Sequence, residues 1–386
     1  MSIVIKGNTV LKGSTIFGTI PSLCAGRVDT TFVIGAGFNL SVNGVKVQSD
    51  GKILVGGSFT TYSGISANRI IRLNEDGSKD NSFAYGTGFT NIVYIINVQS
   101  NGKILVGGTF ASYSGISVNR IIRLNSDGSR DDSFVSGTGP SSTVYGIDIQ
   151  SNGKILLGGS FITYSGISAN CIIRLNEDGS KDNSFVYGTG FNAQLTDVKL
   201  QSDGKILACG SFSTYSGISA NNIIRLLSGG SKDDSFVSGI GFNSTVYSID
   251  IQSDGKILLG GVFTTYSGIS ANRIIRLNSN GSKDNSFVYG TGFDNQVNSI
   301  KVQSDGKILV GGVFSTYDGT SANRIIRLNE DGSRDNSFAY GIGFNSNINY
   351  NFGIGIQSNN DIVVGGQFTL YNNNSYNRII RLKSSI

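Results

Sequence analysis

Histidine and tryptophan are both absent from the 386 residues. Without histidine, Ser-His-Asp and Cys-His nucleophile arrangements are excluded, and the commonest side-chain ligand of transition metals is missing. A hydrolase built on two carboxylates stays open. Proline occurs only at Pro21 and Pro140. The three cysteines, Cys24, Cys171 and Cys209, are too few and too scattered for a disulfide framework. No apolar run approaches the roughly 18 residues of a transmembrane helix, so membrane insertion is not expected. In the first 26 residues, short apolar patches are broken by Lys6, Gly7, Asn8, Lys12 and Gly13. They are too short for a secretory-signal core and read as two or three short strands. The net charge of +5 comes from cations spread evenly along the chain. Nucleic-acid binding would want a basic stripe with aromatic platforms, so no nucleic-acid partner is expected.

Repetition is what the chain has in abundance. Val42–Phe83 reads VNGVKVQSDGKILVGGSFTTYSGISANRIIRLNEDGSKDNSF and returns six more times, the last copy without its end. The Gly of its Gly-Lys pair falls at Gly51, Gly102, Gly153, Gly204, Gly255 and Gly306, 51 residues apart each time. The seventh copy has Asn360 and Asp361 there, three residues late. A fixed period near this length signals a repeat architecture. Within one unit, Val42–Gln48 reads as a strand and Ser49-Asp50-Gly51 as a tight turn. Lys52–Phe59 is a second strand, and 60–67 a longer loop. Asn68–Asn74 is a third strand, 75–78 a second tight turn, and Lys79–Phe83 a short fourth strand. Ile53, Leu54 and Val55 are apolar in succession, so both faces of this meander need cover. Radial stacking supplies it, which predicts an all-β, seven-bladed β-propeller of four-stranded antiparallel blades. The phase agrees. The chain enters on a fourth-strand sequence, Arg27–Phe32, and leaves on a third-strand sequence, Asn377–Leu382. Pairing these two closes the ring and protects the open edge. The expected division is an extension at residues 1–26 and a propeller at 27–386.

The pattern V-x-x-I-x-x-Q-x-D-G-K-I-L-x-G-G-x-F followed by N-R-I-x-R-L-N-x-D-G-S-x-D-x-S-F resembles the delta-60 repeat, a β-propeller repeat family. Its layout is distantly similar to NHL-repeat propellers. The resemblance covers Arg27–Leu382 in seven copies. It implies the fold and a binding role, and it implies no reaction and no shared catalytic residues. Such repeats occur in large secreted or surface-attached bacterial proteins and in some phage proteins.

Two charged positions are identical in all seven copies. Arg72, Arg123, Arg174, Arg225, Arg276, Arg327 and Arg381 fall in the third strand. Asp80, Asp131, Asp182, Asp233, Asp284 and Asp335, with Asp29 for the last blade, start the fourth. Across the 75–78 turn these come nearly opposite, so one bidentate Arg–carboxylate pair per blade is expected. Phe59 and its six copies read as core between blades. Tyrosines mark both long loops: Tyr62, Tyr113, Tyr164, Tyr215, Tyr266, Tyr317 and Tyr371 after the second strand, and Tyr85, Tyr187, Tyr289 and Tyr340 between blades. Both loops emerge on one face of the disc. Since tyrosine is an economical contact residue, these eleven are the expected binding residues. The second set varies between copies, so its side chains are expected to face solvent. The tight turns on the opposite face promise few side chains and little concavity.

No catalytic residue, metal ligand or cofactor is expected. The Asn74–Asp80 segment fails the spacing of a calcium loop, because Arg72 would stand at its first ligand position. The reading is a non-enzymatic structural or recognition module that shows a long-loop face to a glycan or protein surface. A phage virion component, a tail fibre or surface decoration, fits best, with residues 1–26 anchoring it to other virion proteins. A bacterial surface or secreted adhesin is the alternative, and a glycan-active enzyme the third.

Overall fold

The structure, a computed structural model, describes residues 24–349 and 353–385, and it is all-β there. The extension before Cys24 lies outside the described residues. Seven three-stranded antiparallel sheets follow one another, each in simple meander order. Blade 1 consists of Val42–Val47, Ile53–Gly57 and Ile70–Leu73. Its register sets Val45 opposite Val55 and Val55 opposite Ile71. Blade 7 consists of Ile354–Ile356, Ile362–Gly365 and Ile379–Leu382. The first strands of successive blades pack on one another around the axis, and blade 7 returns to blade 1. Every residue of the second and third strands of blade 1 is buried, as unbroken apolar runs require. Gly56 sets how closely the next blade approaches, and Gly57 how closely its own blade packs. A Cβ on Gly56 would sit 2.4 Å from Val93 of blade 2, and one on Gly57 2.2 Å from the Ser41 carbonyl.

The structure differs from the expected meander in two places. Loop 60–67 folds into a two-residue hairpin, with Thr61 and Tyr62 opposite Ser66 and Ile65. The fourth strand shrinks to one ladder pair, Leu73 with Lys79. The cause is Asp80, whose carboxylate takes the Ser82 N–H at 2.9 Å. Such a local Asx turn competes with a ladder, and Phe83 N–H then closes onto the Asp80 carbonyl at 3.3 Å.

Closure uses the first described residues. Val28 pairs with Leu382. Asp29 N–H donates to the Arg381 carbonyl and Lys383 N–H to that of Arg27, each at 2.9 Å. The closing segment starts earlier than Arg27. Ala25 is 2% exposed, pairs with Phe338 of blade 6, and accepts the Ala339 N–H at 2.8 Å.

Candidate functional site

The repeated charges act between blades. Arg72 Nε donates to Asp80 at 2.7 Å, and the same geometry recurs from Arg123–Asp131 to Arg381–Asp29. The pair is not the bidentate fork expected. Arg72 Nη2 turns to Ser82 Oγ at 3.2 Å, and Nη1 reaches the Ser126 carbonyl in the next blade's turn. Arg123 likewise reaches Glu177, Arg327 reaches Ser384, and Arg381 of blade 7 reaches Glu75 of blade 1. A planar guanidinium with five fixed donors serves both its own blade and the next. Lys52 Nζ, 3.0 Å away, is a second cation on Asp80, and the Phe83 ring lies 4.7 Å from the Arg72 guanidinium carbon. Arg72, Asp80 and their copies are buried, so each blade is stapled to its successor around the full circle.

The tyrosines are buried, which for Tyr85, Tyr187, Tyr289 and Tyr340 corrects the expectation that they face solvent. Tyr62, Tyr113, Tyr164, Tyr215, Tyr266, Tyr317 and Tyr371 are all buried. Each hydroxyl donates to a backbone carbonyl, Tyr62 to Gly77 at 2.6 Å and Tyr371 to Gly26 at 2.7 Å. Six of the seven rings pack on a phenylalanine, as Tyr62 does on Phe38 at 4.6 Å between centroids, and Tyr164 has Pro140 in that place. Tyr85, Tyr187, Tyr289 and Tyr340 are buried too. Their hydroxyls donate to the Ser66, Ser168, Ser270 and Ser321 carbonyls, and Lys283 lies 5.3 Å over the Tyr289 ring. A large ring on a short loop gains more from burial than from display, and its one polar atom then needs a partner. Tyr164→Phe should therefore leave the Gly179 carbonyl unpaired and cost about 1–2 kcal/mol in a denaturant titration. No measurable cost would restore the display reading.

What the long-loop face does expose sits three residues on. Ile65, Ile116, Ile167, Ile218 and Ile269, at the hairpin tips of blades 1 to 5, are each 46–48% exposed. Blades 6 and 7 carry Thr320 and Asn374 there. A groove of about 640 Å³ opens on the same face between blades 3 and 4, beside Cys171. The tight-turn face is not flat, contrary to expectation: a groove of about 760 Å³ between blades 1 and 2 is lined by Gln48, Asp50, Arg72 and Asp127.

The axial channel holds side chains that sequence reasoning passed over. A cavity of about 210 Å³ is lined by Lys46, Asn97, Asp148, Asp197, Lys199 and Lys301 among valines and isoleucines. Lys199 Nζ pairs with Asp250 at 3.3 Å. Asp148, Asp197 and Asp250 accept the backbone N–H groups of Leu200, Ile249 and Val302 in the following blades. Burial pushes the Asp197 carboxyl up to about 6. It lowers Lys46 to about 8, helped by Lys301 and Lys199. These three carboxylates, each pinned to a backbone donor of a later blade, tie blade to blade along the channel. The signal was present in the sequence: the first strands read VNGVKV, VYIINV, VYGIDI, LTDVKL, VYSIDI and VNSIKV, with charged and polar residues that change from blade to blade. Among the described residues, no group of three or more acidic or cysteine side chains could hold a metal ion.

Propeller structures resemble this one throughout. The WD40 β-propeller domain of Doa1 is 18% identical, with a TM-score of 0.58 over 94% of this chain and 96% of that one. The extracellular domain of a one-component system from B. thetaiotaomicron is 13% identical, TM-score 0.53, and this chain covers 40% of it. Streptogramin B lyase is 17% identical, TM-score 0.51, over 91% of this chain and 94% of that one. At such identities the likeness shows the fold alone. No curated protein matches the sequence. A family model does, at residues 48–83, 99–134, 150–185, 201–236, 252–287, 303–338 and 357–385, one match per blade. The chain belongs to the family described as domain of unknown function (DUF5122) beta-propeller.

Proposed function

We propose that the chain is a non-enzymatic recognition module whose long-loop face binds a surface glycan. The observation that carries this is the division of labour within each repeat. The repeated charges and aromatics are consumed in holding blades together. Exposed isoleucines and a neutral, amide-rich groove are what that face presents outward. Half-exposed apolar side chains beside amides and hydroxyls suit a sugar, which has apolar patches and a dense fringe of hydroxyls. The setting supported by the delta-60 resemblance is a virion, as tail fibre or surface decoration, with residues 1–26 as the attachment to other virion proteins. A bacterial surface adhesin is the second reading, favoured by the likeness to the extracellular domains of bacterial sensor proteins.

The test compares the two faces. Fluorescently labelled chain is applied to immobilised bacterial cell-wall polysaccharide, and to whole cells. Ile116→Ser, Ile167→Ser and Ile218→Ser together should weaken retention. Each should cost under about 1 kcal/mol of stability, as surface substitutions do. Asp50→Ala with Asp76→Ser, in the tight turns, should leave retention unchanged. Loss in the turn variant alone puts the site on the other face. Retention on cells that protease treatment removes makes the partner a protein.

A further inference from the structure

In five blades an arginine closes the gap between the third strand and the loop to the next blade. Arg69 donates to the Phe89 carbonyl at 3.0 Å, and Arg120, Arg273, Arg324 and Arg378 do the same to Pro140, Phe293, Phe344 and Phe38. In blade 4, Asn222 serves the Phe242 carbonyl at 2.9 Å. Blade 3 alone breaks this rule, because Cys171 is too short to reach Phe191. Among the described residues nothing donates to the Phe191 carbonyl. The backbone is undisturbed: Cys171 has φ 70°, and its counterparts lie between 63° and 67°. Only the side chain is missing, and the groove opens where it would lie. Two polar side chains of blade 4, the half-buried Gln194 and the exposed Ser211, also line the groove. The Gln194 amide and the Ser211 hydroxyl have no hydrogen-bond partner among the described residues. Nothing charged lines the groove.

We propose that this groove, between blades 3 and 4, is the binding site for one neutral sugar unit. This deepens the recognition reading above and rests on it. An acceptor-only carbonyl, an amide that both donates and accepts, and a hydroxyl converge on one concavity. Adjacent sugar hydroxyls, each donor and acceptor, match that set. A charged ligand would find no counter-charge there. The volume of about 640 Å³ falls within the usual range of ligand pockets, roughly 300–1,000 Å³. The thiol itself is not reactive: Cys171 is buried and burial pushes it up to about 11, so it acts by its small size.

Restoring the arginine of the other blades tests the idea with little risk to folding. Saturation-transfer NMR is run on the full chain with glucose, galactose, mannose and N-acetylglucosamine. At least one should bind the wild type, and Cys171→Ala, which keeps the groove open, should bind it equally. Cys171→Arg should fill the groove, occupy the Phe191 carbonyl and lower the affinity roughly tenfold or more, with its melting temperature unchanged or raised. If none of the four sugars binds, or if Cys171→Arg binds as well as the wild type, the proposal falls. The second outcome leaves sugar recognition elsewhere on the face intact. Failure of the isoleucine variants to weaken retention would instead remove the face-wide reading.

Discussion

A chain lacking residues 1–32 should not form the folded ring, whereas one lacking only residues 1–23 should melt as the full chain does. The longer deletion removes the strand that pairs with blade 7 through Val28 and Leu382. It also takes Asp29 from Arg381, the Gly26 carbonyl from Tyr371, and buried Ala25 and Phe32 from the core. Blade 7 would then present an unpaired edge and a buried, unneutralised guanidinium at once. An open edge is a template for aggregation, and the charge adds a penalty of several kcal/mol. Size-exclusion chromatography and circular dichroism read the outcome. A soluble, equally stable protein without residues 24–32 would contradict the closure.

Asp182→Ala should cost roughly 2–4 kcal/mol, because it leaves Arg174 buried without its carboxylate. Asp182 accepts Arg174 Nε at 2.6 Å, Lys154 Nζ at 2.7 Å, and the Ser184 N–H and hydroxyl at 3.0 and 2.8 Å. Asp178, four residues earlier, only ties the exposed turn to Ser180, so Asp178→Ala should cost about 1 kcal/mol or less. Equal shifts in denaturant midpoint would mean that the staple bears no stability. The same carboxylates predict a pH dependence. Burial alone would raise Asp182, but the bonds from Lys154, Ser184 and Arg174 outweigh it and hold the carboxyl well below its ordinary value. Asp284 and Asp335 are likewise lowered, to about 2. A carboxyl lowered in the folded state stabilises above its unfolded value near 4, and that stability is lost as the pH falls toward the folded value. With one such group per blade, the contribution of these carboxylates should be level from about pH 7 to 5 and fall steeply from about pH 4 to 2.

The blade count, the strand order and the closure were legible because a 51-residue period and its phase offset constrain topology strongly. The lost fourth strand was not. Lys79–Phe83 has an acceptable strand composition, and the Asp80–Ser82 turn that unmakes it competes through one side-chain bond. The tyrosines were misplaced for a related reason. Variation at Tyr85, Ser136, Tyr187 and Ser238 reads as tolerance of exposure, yet each tyrosine present is buried over its own loop and bonded to a carbonyl. The groove was hidden in Cys171. As a departure from the repeat it looks like drift, until the carbonyl that its arginine counterparts serve is known.

Hydrogen exchange across the seam tests the closed seven-bladed ring most directly. The amides of Asp29 and Lys383 bond across it, just as the Asp131 amide bonds the Arg123 carbonyl within blade 2. Segments 27–32 and 379–385 should exchange as slowly as segments 129–134 and 121–127. Exchange at the rate of an unstructured peptide at both seam segments, with the inner blades still protected, would contradict the ring.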